Sequence, residues 1–228
     1  MTLASVLKRL LVSFLFLALM ACSSEHKPES TEAIAMPDDI PFTEVKSTNQ
    51  SDSEVVSPPR LAGVWRSEQP EPAGNGRYSV RELTFTGSRW DLVYTLAADK
   101  QMKNVLFTHK ASGTMTIQNP SQRISGAYLV VYGFNQKTLN IMTTDKTTLK
   151  ELGFDSCAIS SRKEVDVSSK GCGIIPRVSE CPKDYDLLLQ ETRKSGQYIS
   201  IGNKFAEFSA CSEDRRPVAL GVSLIKIK

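Results

Sequence analysis

Arg89-Trp90-Asp91-Leu92-Val93-Tyr94-Thr95-Leu96 sets Trp90, Leu92, Tyr94 and Leu96 against Arg89, Asp91, Val93 and Thr95, one after the other. A period of two over eight residues is the pattern of a β-strand with one buried face. Upstream, Tyr78 to Thr86 reads as its partner, with Leu83 and Phe85 toward the core, and Gly87-Ser88 is a two-residue link suited to a tight hairpin. Downstream, Lys103 to Lys110 and Thr114 to Gln118 are further strands, separated by a bend or bulge at Ser112-Gly113. Ile124 to Phe134 follows, with Tyr128, Val130 and Tyr132 on one face, and Asn135-Gln136 turns into Lys137 to Thr143. Strands at this spacing, joined by short polar links, predict an antiparallel meander.

A single helix interrupts the pattern. Asp145 can cap Lys146 to Leu152, Gly153 stands where a helix C-terminus favours glycine, and Leu149 and Leu152 would be its buried contacts. Beyond it, Tyr185 to Gln190, Gln197 to Ile201 and Lys204 to Ser209 read as strands, with Gly202-Asn203 as a hairpin turn. Pro217 to Ile227 is the last, and its nearly unbroken apolar run predicts burial on both sides or the pairing that closes a sheet.

The N-terminus is of another kind. Lys8 and Arg9 precede an apolar stretch from Leu10 to Met20, too short to be a permanent span, in the order of a secretory signal. Leu19-Met20-Ala21-Cys22 resembles the lipobox of bacterial lipoproteins, in which the cysteine is exposed by cleavage and acylated. That resemblance implies a signal peptide over 1–21, lipidation (palmitate among the acyl groups) at Cys22, and a membrane held through that anchor. Ser23 after the cysteine implies the outer membrane, facing the periplasm. Two or more acyl chains anchor stably where one does not. From 22 to 60 the chain is rich in Ser, Glu, Asp, Pro and Thr, and His26 is one solvated residue among them. Such a stretch buries too little apolar surface to offset its ordering entropy, so it is expected to be a disordered tether ending at Ser57-Pro58-Pro59. Residues 61–228 then form one β domain.

Without Lys8 and Arg9 the chain is close to neutral, against the clustered basic face that nucleic acid requires. Four of the five cysteines, Cys157, Cys172, Cys181 and Cys211, lie in the C-terminal third and in an exported chain read as two disulfides. Three pairings are open; the preferred one is Cys157–Cys172, a local closure, with Cys181–Cys211, a longer tie toward the final strand. No Cys-x-x-Cys occurs and His109 is far from the cysteines, so zinc is not expected. No cofactor is expected either.

No nucleophile elbow, zinc-protease helix or phosphate loop is present. Gly171-Cys172-Gly173 reads as a tight turn, and Glu213-Asp214 is followed at once by Arg215-Arg216, a neutralised loop. His109 shares a strand face with Val105 and Phe107, as a core histidine or a polar group in a cavity would. A hydrolase using His109 is the enzymatic alternative to a non-enzymatic protein.

Leu61-Ala62-Gly63-Val64-Trp65 resembles the entry strand of lipocalin-like barrels, whose tryptophan plugs the closed end while the glycine permits close backbone packing. Arg81-Glu82-Leu83-Thr84-Phe85, Arg89 to Asp99, Leu106-Phe107-Thr108, Tyr185-Asp186-Leu187-Leu188 and Cys211-Ser212-Glu213-Asp214-Arg215-Arg216-Pro217 are together similar to the bacterial members of the domain family named after the adenomatosis polyposis coli down-regulated protein. The tether and the sparse aromatics of the middle strands depart from that family's pattern. The resemblance implies a lipocalin-like antiparallel barrel, an extracytoplasmic setting and a lipid-facing cavity. The animal members are associated with antagonism of a lipid-modified signal; no such signal is expected in a bacterium, so that activity is not expected to carry over.

The fold expected is all-β, a lipocalin-like barrel with one short helix and a disulfide-tied C-terminal region. Its interior could hold one small hydrophobic or acylated ligand among Trp90, Tyr94, Phe107, His109, Met115, Tyr128 and Tyr132. A filled barrel that engages an envelope protein partner is the other reading.

Overall fold

The structure is a computed structural model describing residues 57–204 and 209–228. The expected signal peptide, the lipidation expected at Cys22 and the expected tether as far as residue 56 lie outside the described residues. At the edge of that stretch the Arg60 backbone is already docked, donating to Gln190 Oε1 at 2.7 Å and accepting from its Nε2 at 3.0 Å.

Ten strands and one helix follow in order: β1 (Gly63–Ser67), β2 (Glu71–Pro72), β3 (Tyr78–Thr86), β4 (Arg89–Ala97), β5 (Val105–Pro120), β6 (Tyr128–Ile141), α1 (Lys146–Glu151), β7 (Glu164–Asp166), β8 (Lys183–Arg193), β9 (Gly196–Gly202) and β10 (Leu220–Lys226). Eight of them pair antiparallel in the cyclic order β1-β3-β4-β5-β6-β8-β9-β10 and back to β1, a closed meander of the lipocalin-like kind expected. β2 lies beside β3, and β7 beside the far half of β6. Closure explains the apolar last strand. β10 pairs with β9 and β1, which buries Leu224 but leaves Val222 52 % exposed, so it is not covered on both sides.

The hairpin between β3 and β4 turns on Gly87-Ser88. Gly87 has φ 61° and Ser88 is not among the residues of positive φ, a type II′ pattern that matches strand twist. Two expectations change in the middle strands. Lys103–Lys110 and Thr114–Gln118 are one strand of 16 residues, and Asn135-Gln136 is no turn. The ladder pairs Ser112 with Gln136 and then Gly113 with Phe134, so Asn135 is an extra residue bulged out of β6. The strands press together there: a Cβ on Gly113 would lie 1.8 Å from the Gly133 carbonyl oxygen. A bulge lets long strands bend round a barrel without breaking.

The expected strand from Lys204 to Ser209, and with it the hairpin turn at Gly202-Asn203, lies largely outside the described residues, since 205–208 are not among them. β9 pairs with β8 through the turn at Lys194-Ser195, and the Asn203 amide donates to the Ala219 carbonyl at 2.8 Å, just ahead of β10.

The concave face carries two apolar clusters. The lower one fills the closed end with Trp65, Phe85, Trp90, Met115, Val130, Leu188 and Leu224. Trp65 is fully buried and donates its indole N–H to the Leu61 carbonyl at 2.6 Å. Gly63 beside it has φ 121°, and a Cβ there would lie 2.1 Å from the Lys228 carbonyl oxygen. Burying side chains of this size stabilises by about 2–3 kcal/mol each.

The upper cluster sits where β4, β5 and β6 run past the barrel rim. Leu96, Phe107, Leu139 and Ile141 are covered there by Leu152 and Phe154 after the helix and by Val167, Cys172 and Ile175. Asp145 caps α1, accepting from the Thr148 amide at 2.7 Å, and Gly153 has φ 69°. The disulfides are Cys157–Cys172, which ties this lobe, and Cys181–Cys211, whose Cys181 is fully buried against the lower cluster. Among the described residues, no helix is long and apolar enough to cross a membrane.

Candidate functional site

Between the two clusters the lumen is not filled. A cavity of about 290 Å³ opens at the barrel mouth, walled by Leu83, Trp90, Leu92, Tyr94, Tyr132 and Phe134 and bordered by charged groups. Alternation builds the wall. Trp90, Leu92 and Tyr94 are successive inward positions of β4, opposite Gly113, Ala111 and His109 of β5. The two small residues, Ala111 and Gly113, leave room facing Leu92 and Trp90. Trp90 is held edge-on to Tyr132 and Phe134, with centroids 5.0 and 5.5 Å away, and its indole N–H reaches the Gly133 carbonyl at 3.2 Å. Two larger hollows, about 530 and 430 Å³, lie beside the Cys157–Cys172 lobe and between Asn119–Arg123 and Arg216–Val218. Neither is lined by the barrel's aromatic face.

Of the residues expected to line a lumen, Trp90, Tyr94, His109 and Tyr132 do so. Phe107 and Met115 point to the same concave face but at other heights. Phe107 is fully buried in the upper cluster, edge-on to Phe154 at 5.2 Å, and Met115 belongs to the lower one. Tyr128 is buried opposite Pro120 and Leu188, away from the cavity. Periodicity gives the face of a strand; the height at which the lumen opens is set by the closure of all eight strands.

His109 is 2 % exposed, and its Nδ1 lies 2.9 Å from the Thr138 carbonyl, so Nδ1 carries the proton and donates. Burial, with a smaller push from the Lys137 charge, lowers its pKa to about 4 against the pull of the Thr138 bond, so the ring is neutral at pH 7. Burial likewise lowers Lys137 to about 8; its ammonium donates to the Pro176 carbonyl at 3.0 Å and sits 3.9 Å from the centroid of Phe134.

The polar border is what the sequence reading missed. On one side Arg81 grips Glu71 through two bonds of 3.1 and 2.8 Å and reaches the Val222 carbonyl at 2.9 Å. On the other, Asp184 and Asp186 of β8 point inward at successive positions, and Lys204 sets its ammonium 2.6 Å from the first and 2.7 Å from the second. Asp186 Oδ1 also accepts the Leu187 and Gly202 amides at 2.8 Å each, and Asp184 Oδ1 accepts Ala210 at 2.7 Å. Burial raises the pKa of Asp184, with repulsion from Asp186 adding to it and Lys204 opposing. Lys204 is itself held above its usual value, because the two carboxylates outweigh the cost of its burial. A signal was present: Asp184 and Asp186 share the parity of Leu188, and Arg81 that of Leu83 and Phe85.

Opposite Asp184 across the β6–β8 ladder stands Tyr132. Its hydroxyl is buried and has no hydrogen-bond partner among the described atoms. Burial, then Asp186 and Asp184, push its pKa well above the usual phenol value, so it remains a neutral hydroxyl. Among the described residues, no group of three or more His, Cys, Asp or Glu is placed to hold a metal ion.

No protein-family model matches the chain, and no curated protein matches it.

Proposed function

We propose that the chain is a non-enzymatic lipoprotein of the cell envelope whose barrel mouth binds a small hydrophobic or acylated ligand. The observation that carries this is the cavity: an aromatic and aliphatic wall, left open between two packed clusters, beside a border of charged groups. Ligand sites combine this mostly apolar lining with a few placed polar groups. At about 290 Å³ the space is at the lower end for small-molecule sites and suits one short chain rather than a whole phospholipid. His109, neutral and bonded through Nδ1 to a main-chain carbonyl, fits a structural residue better than a general base. The lipobox-like Leu19-Met20-Ala21-Cys22 supports anchoring at Cys22, and the stretches that resemble the adenomatosis polyposis coli down-regulated domain family support the extracytoplasmic setting.

Two measurements test this. Mass analysis of the mature N-terminus should find acylated Cys22, and Cys22→Ser should release the protein from membranes; an unmodified cysteine overturns the anchor. The Cys22→Ser chain purified without detergent should yield extractable apolar ligand, or bind short-chain amphiphiles saturably; if it did neither, the ligand reading would be overturned. The second reading, a module that engages an envelope protein, draws on Val222, half exposed at the cavity rim, and Val218, 63 % exposed beyond β9. It would be preferred if a protein partner bound and its binding were lost in Val222→Asp.

A further inference from the structure

We propose that the barrel-mouth cavity selects ligands bearing a primary ammonium group, seated between the carboxylates of Asp184 and Asp186 and the hydroxyl of Tyr132, with the alkyl part against Trp90 and Leu92. This rests on the reading of the cavity as a ligand site and specifies its chemistry.

The first argument is charge. Arg81 and Glu71 are paired with each other, and His109 is neutral at pH 7. Asp184 and Asp186 share the single ammonium of Lys204. Lys137 lies at the ring of Phe134, bonds to the Pro176 carbonyl, and does not line the cavity. Among the described residues, the lining therefore carries one negative charge without a matching positive one. Burying two carboxylates against one ammonium is costly; burial first, and then repulsion from Asp186, raise the pKa of Asp184 although Lys204 opposes them. A second ammonium would relieve it, whereas an anionic headgroup would meet repulsion in a poorly screened site.

The second argument is independent of charge. Tyr132 is 4 % exposed, it lines the cavity, and its hydroxyl is unpartnered. A buried hydroxyl without a partner loses the bonds it would make in water, so an incoming N–H that it can accept is favoured. The ring faces add a third contribution. Trp90 and Tyr132 stand edge-to-face at the site, and an ammonium near aromatic faces is attracted by their quadrupoles.

The same ammonium could come from a free alkylamine or from the ethanolamine headgroup of a lipid. The test titrates the full chain in zwitterionic nanodiscs, subtracting empty discs, with n-octylammonium, octanoate, 1-octanol and glycerophosphoethanolamine. Octylammonium should bind at least tenfold more tightly than octanoate or octanol. Tyr132→Phe, which keeps the ring and its packing, should weaken octylammonium about tenfold and leave octanol unchanged. Saturable glycerophosphoethanolamine binding with the same Tyr132→Phe sensitivity would assign the ammonium to a lipid headgroup, and its failure beside tight octylammonium to a free amine. Octanoate or octanol binding as well as octylammonium would overturn the ammonium site while leaving an apolar ligand standing. If no probe bound at all, the ligand-binding reading would fall with it.

Discussion

Lys204 holds its ammonium 2.7 Å from the carboxylate of Asp186, a side chain only 1 % exposed at the mouth of the barrel. Asp184 stands 2.6 Å away on its other side, so one cation joins two successive inward positions of β8 to the end of β9. Removing one partner of a buried ion pair is far costlier than the pair is stabilising. Lys204→Met should therefore lose about 3 kcal/mol at pH 7.5 in urea unfolding. Because the folded-state pKa of Asp184 is raised, that carboxyl takes up a proton more readily in the folded than in the unfolded chain. Its contribution is present at low pH and lost as pH rises, so the Lys204→Met deficit should shrink at pH 5. A deficit independent of pH would contradict the assignment.

The glycines at the bulge offer a paired comparison. A Cβ on Gly113 would strike the Gly133 carbonyl oxygen at 1.8 Å, whereas a Cβ on Gly133 would meet Thr114 Oγ1 at 3.3 Å, a tight but yielding contact. Gly113→Ala should destabilise by about 2 kcal/mol or more, because main chain must move, and Gly133→Ala by clearly less. Equal losses by thermal unfolding would mean that the two strands are not pressed together there.

The histidine gives a pH signature. With a folded pKa of about 4 against 6.5 unfolded, the unfolded chain binds more protons between those values, so stability falls as pH drops through this window. From pH 7.5 to pH 5 His109 should account for about 2 kcal/mol of that loss. The difference between wild type and His109→Gln isolates it, since other titrating groups are common to both. Parallel stability curves for the two proteins would show that the ring is not buried neutral.

The two disulfides should differ in effect. Cys181–Cys211 closes 30 residues and packs on the lower cluster, while Cys157–Cys172 closes 15 in the lobe over the upper one. On the chain-entropy account the longer loop is worth about 3.6 kcal/mol and the shorter about 3. The double variant Cys181→Ser with Cys211→Ser also puts a polar group where Cys181 is fully buried, so it should lower the melting temperature more than Cys157→Ser with Cys172→Ser. The reverse order would contradict the packing described.

Much of the barrel was legible because strand periodicity is local. Tyr78–Thr86, the Gly87-Ser88 hairpin and the Asp145 cap each depend on residues within a few positions of one another. The bulge at Asn135 was read as a turn because a polar pair between two apolar runs looks the same in either case. Which aromatic residues meet the cavity was less accessible. Trp90 and Phe107 face the same way, yet only the rim position of β4 to β6 separates an open lumen from the packed upper cluster. The carboxylates share the inward parity of Leu188, but parity within β8 does not show what they meet. Only the closed circuit of strands sets Lys204, beyond the end of β9, between Asp184 and Asp186.

The most direct test of the central claim follows methyl groups by NMR as an eight-carbon amphiphile is added. The methyls of Leu83, Leu92 and Ile201, which line the cavity, should shift saturably, while those of Leu106 and Leu139 in the upper cluster stay in place. Saturable shifts confined to the upper cluster or to the outer surface, or no saturable shift anywhere, would contradict a ligand site at the barrel mouth.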